Sequence, residues 1–67
     1  MSEIQNNMNT LGIKQVDMIF ELRKRGLAIQ PPEMSAILNG VLTTPKAKKV
    51  EKMCLEIIEE IKNENNG

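Results

Sequence analysis

Apolar residues recur along this chain three and four positions apart, the period of an α-helix, and show no strand-like alternation with polar ones. The first such stretch runs from Ser2 to Thr10, with Ile4 and Met8 leading on to Leu11. It predicts a short helix, weakened by Asn6, Asn7 and Asn9, which are poor helix formers, and closed by Gly12. A second helix is predicted over Gln15 to Arg25, with Val16, Met18, Ile19, Phe20 and Leu22 on a broad inward face and Asp17, Glu21, Lys24 and Arg25 opposite. Asp17 in its first turn and Arg23-Lys24-Arg25 in its last complement the helix dipole, Glu21 and Arg25 are spaced as an ion pair, and Gly26 ends it.

Leu27-Ala28-Ile29 reads as an apolar link pressed onto the core. A third helix is predicted over Pro32 to Asn39, with Pro32 at its first position, where a missing amide costs nothing. Met34, Ile37 and Leu38 then point inward, Gln30, Glu33, Ser35 and Ala36 largely outward, and Asn39-Gly40 makes the turn. Thr44 has the character of an N-cap and Pro45 of a first helical residue, opening a last helix to about Asn63. The Asn-rich residues 63–67 are expected to be disordered. The pattern predicts a compact all-α domain of four helices over residues 1–62, the last of them extended.

Composition narrows the setting. Sixty-seven residues make one domain with a modest core, and chains of this size often need a staple. There is no His, and Cys54 is alone, so neither a metal site nor an internal disulfide is expected, and no cofactor. A second copy is the staple left. The first residues carry neither a basic nor an apolar run, and no stretch approaches the roughly 18 apolar residues of a spanning helix. A soluble, cytoplasmic protein is expected. With no His and no nucleophile beside a base, an enzyme is not; Cys54 among apolar neighbours reads as a small buried hydrophobe.

The formal net charge is zero, but it is unevenly spread. Eight basic residues meet four acidic ones between Lys14 and Lys52, whereas residues 53–67 hold four glutamates against Lys62. The middle of the chain can therefore attract phosphates although the whole is neutral.

A helix, a Gly-containing connection and a short helix closed by Asn-Gly form a unit able to present its second helix to a major groove. Here the sequence resembles the phage repressor/Cro (XRE-like) helix-turn-helix family. The likeness rests on Gly12-Ile13-Lys14-Gln15 opening the second helix, on Met18, Ile19 and Leu22 in its apolar slots, and on Met34-Ser35-Ala36-Ile37-Leu38-Asn39-Gly40 closing the third. It covers roughly residues 4 to 58 and implies a λ-repressor-like fold and a regulator that binds double-stranded DNA as a homodimer. By the same resemblance Gln15 touches a phosphate, Gln30, Glu33, Ser35 and Ala36 face the groove, and Asn39 approaches the DNA backbone. Two prolines and a glutamate at the start of that helix offer few hydrogen bonds to base edges, so weak or shape-dominated readout is expected.

Independently of the family, Lys46, Lys48 and Lys49 crowd the start of the last helix, where positive side chains oppose the dipole. Free amides, these lysines and the hydroxyls of Thr43 and Thr44 together suit a phosphate backbone. The last helix is also apolar over a wide girth. Its surplus, Cys54, Ile57, Ile58 and Ile61, is expected to form a two-fold interface between copies. An alternative use of the same fold is a protein-interaction module, phage-encoded or antitoxin-like, gripping another protein.

Overall fold

The computed structural model describes residues 3–66. Met1, Ser2 and Gly67 lie outside the described residues, and with them the expected helix start at Ser2. Four helices follow one another: α1 (Glu3–Leu11), α2 (Gln15–Lys24), α3 (Pro31–Leu38) and α4 (Pro45–Asn66), with no strand among the described residues.

Each of the three short helices stops in the same way. Past α1, Gly12 N–H donates to Asn9 O and Ile13 N–H reaches back to Met8 O. Gly26 and Leu27 repeat this on Arg23 and Leu22 after α2, and Gly40 and Val41 on Ile37 and Ala36 after α3. These paired bonds satisfy carbonyls that the helix itself leaves open. They require a left-handed residue at the turn, and Gly26 (φ 89°) and Gly40 (φ 75°) adopt it without a Cβ penalty.

Helix starts are set by a carboxylate, a proline pair and a hydroxyl. Asp17 Oδ2 accepts the Lys14 N–H at 3.1 Å, fixing the entry to α2. The third helix begins one residue earlier than the sequence suggests, with Pro31 rather than Pro32 first. Both prolines fit, because amides of the first turn have no acceptor within the helix. Thr44 caps α4, its Oγ1 accepting the Ala47 N–H at 3.1 Å, with Pro45 as the first helical residue.

Helix α4 is the spine, packed against α1, α2 and α3, while α2 and α3 also pack on each other. Ile4 and Met8 enter the core from α1, Met18, Ile19 and Leu22 from α2, and Met34, Ile37 and Leu38 from α3. Ile29 plugs the link between α2 and α3, whereas Ala28 beside it is exposed. From α4 come Ala47, Val50, Cys54, Ile57 and Ile58.

Cys54, Ile57 and Ile58 are buried against the other helices of the same chain, where the sequence pattern placed a surface between copies, and Ile61 is half-buried at the edge of that core. The reason is geometric: three helices surround α4 and cover more of its girth than one small domain was expected to cover. Val16 and Phe20 do not face inward but are 64% and 59% exposed. At about 100° per residue, Met18, Ile19 and Leu22 share an arc of roughly 100°, and Val16 and Phe20 lie more than ~100° from its middle. The last helix also runs past Asn63 to Asn66.

Candidate nucleic-acid interface

The short helix α3 is held by both flanks. Its inward ridge, Met34, Ile37 and Leu38, is buried. About 100° to one side stands Ser35, whose hydroxyl donates to Gln15 Oε1 at 3.3 Å. The amide of the same Gln15 donates to Pro31 O at 3.0 Å. Gln15 thus ties the first turn of α2 to the first turn of α3, and it does so because it shares the inward arc of Met18 and Leu22. On the other flank Glu33 reaches Lys46 of α4 at 3.5 Å. Between these ties the remaining ridge, Pro32, Ala36 and Asn39, is turned outward, with Pro32 and Asn39 exposed and Ala36 half-buried. Gln30, the N-cap residue, is exposed at the ridge's leading end.

The residues expected to meet DNA therefore divide into groups. Gln30 and Asn39 are exposed, and Ala36 lies on the outward ridge. Gln15, Glu33 and Ser35 are half-buried and engaged within the protein, so their first task is to fix the pose of α3. Thr43 is exposed, whereas the Thr44 hydroxyl is committed to capping α4.

Lys48 and Lys49 are exposed on the opening turns of α4, close in sequence to the Thr44 cap. Lys46 is exposed too but shares its charge with Glu33. The acidic end of α4 lies elsewhere: Glu60 pairs with Arg25 at the far end of α2, in place of the Glu21–Arg25 pair that spacing suggests, and Glu21 pairs with Lys24 at 2.9 Å. The tail thus leans on α2. The cross-helix bonds of Gln15 and the Glu33–Lys46 pair had no signal in the sequence, because they join residues brought together only by folding.

Cys54 offers no reactive thiol. Burial, and secondarily the nearby Glu51 carboxylate, push its pKa up to about 11. Among the described residues no group of side chains is arranged to hold a metal ion, and no helix is long and apolar enough to cross a membrane. Comparison with known proteins finds no matching family model, no matching curated protein and no matching solved structure.

Proposed function

We propose that this protein binds double-stranded DNA as a transcriptional regulator of the phage repressor/Cro type, two copies on a two-fold site, without catalysing a reaction. The observation that carries the reading is the outward ridge of α3, braced on both flanks and set beside the lysine-rich start of α4. A helix that enters a groove must stand clear of its support and hold its angle, and the Gln15 and Glu33 contacts do the holding. Lys48 and Lys49 then lie against phosphates next to the groove that α3 enters.

Base readout is thin. Gln30 and Asn39 are the exposed amides able to form paired hydrogen bonds with a base edge, adenine being the natural partner. Pro32 and Ala36 add only apolar contact, for example with a thymine methyl. Affinity should therefore depend chiefly on phosphates and on groove shape.

A second reading, capture of another protein on the same face, is favoured by the Glu33–Lys46 pair, which cancels one cation at the entrance to the groove. Titration of short duplexes over a range of salt separates the two. Wild-type affinity should fall steeply with salt. In a Lys48→Glu, Lys49→Glu variant the log–log slope should shrink by about two units, at ~0.9 per phosphate contact. Absence of binding at low salt, or an unchanged slope in a folded variant, overturns the DNA reading. Sedimentation of the protein–duplex complex reports whether two copies bind.

A further inference from the structure

Away from the lysines, α2 and the last turns of α4 enclose a groove of about 530 Å³. The apolar surface on its floor comes from the half-buried Ile13 and Ile61, with the buried Met18 and Ile57 beneath them. Phe20 stands at its side, the one aromatic residue of the chain and more than half exposed. An aromatic side chain offers a large apolar area and a ring face that attracts cations.

The rim is acidic. Asp17, Glu21, Glu60 and Glu64 face Lys24 and Arg25, two more carboxylates than cations. Lys24 already shows what the site accepts: its ammonium lies 5.3 Å from the Phe20 ring centroid and 2.9 Å from Glu21. A ring face and a carboxylate there hold a cation between them. Glu64, on the last described turns, has no ion-pair partner among the described residues.

We propose that this groove receives an amphipathic, lysine- or arginine-rich helical segment of another protein. Its apolar side chains would cover the floor, as in other helix-in-groove complexes, and its cations would meet the acidic rim and displace Lys24 from Phe20. The groove contains no residue of α3 or of the lysine-rich start of α4, so the site does not rest on the DNA reading and leaves that face open.

The test uses the full chain and two synthetic helical peptides of one leucine pattern, with lysine or glutamate at every other position. Calorimetry should detect binding of the leucine/lysine peptide and none of the leucine/glutamate peptide. Amide chemical shifts should move at Gly12, Ile13, Phe20 and Ile61. Phe20→Ser, at a position more than half exposed, should leave the protein folded and weaken binding about tenfold, and Lys24→Ala should strengthen it. Equal binding of both peptides, an unaffected Phe20→Ser variant, or shifts centred on Val41 and Leu55, exposed apolar residues outside the groove, would overturn the proposal. So would wild-type self-association that Phe20→Ser abolishes, since the occupant would then be a second copy.

Discussion

Cys54 shows how one side chain reports on the whole core. Its thiol is buried in the core shared by the four helices, and desolvation, with a smaller contribution from Glu51, raises its pKa from 9.0 to about 11. A folded-state pKa above the unfolded one favours the native state fully below about pH 9, and that contribution is lost as pH rises toward 11. Alkylation by a thiol reagent at pH 8 should therefore be far slower in the native protein than in denaturant, and stability should decline between pH 9 and 11. A Cys54→Ala variant should decline less over that interval; identical curves would contradict the assignment. That Cys54 is inert was legible from its apolar neighbours and the lack of any His. The role of Gln15 was not. A first-turn glutamine looks solvated until the fold carries Pro31 and Ser35 to it.

At the level of elements, the ends were more legible than the faces. Glycine after a helix and proline or threonine before one act through local backbone chemistry, so Gly12, Gly26, Asn39-Gly40 and Thr44-Pro45 could be placed from the chain alone. Faces depend on what packs nearby. Val16 and Phe20 were apolar enough to be assigned inward, yet the buried arc of α2 is taken by Met18, Ile19 and Leu22. The capping hydroxyl of Thr44 carries a measurable share of stability. Thr44→Ala should cost about 1 kcal/mol, read as a lower midpoint in thermal unfolding, whereas Thr44→Ser should be near neutral. Loss of the cap would also let the first turn of α4 fray, so the same variant should bind duplex DNA less well if Lys48 and Lys49 meet phosphates.

For the whole molecule, the widest gap between sequence and structure concerns α4. Its apolar girth looked too broad for one small domain, but α1, α2 and α3 together cover Cys54, Ile57 and Ile58. Ile57→Asp should accordingly abolish helicity in circular dichroism, because an unpaired carboxylate would sit where 1% of the side chain is now exposed. A folded variant with altered association state would restore the two-fold interface instead. The same spine also has an electrical direction. Lysines 46, 48, 49 and 52 stand toward the end where the peptide units leave a positive partial charge, and Glu56, Glu59, Glu60 and Glu64 toward the negative end. Side chains and backbone add along α4, and although Lys24 and Arg25 offset part of its acidic pole, the spine still behaves like a compass needle: near a polyanion it feels torque before it feels pull.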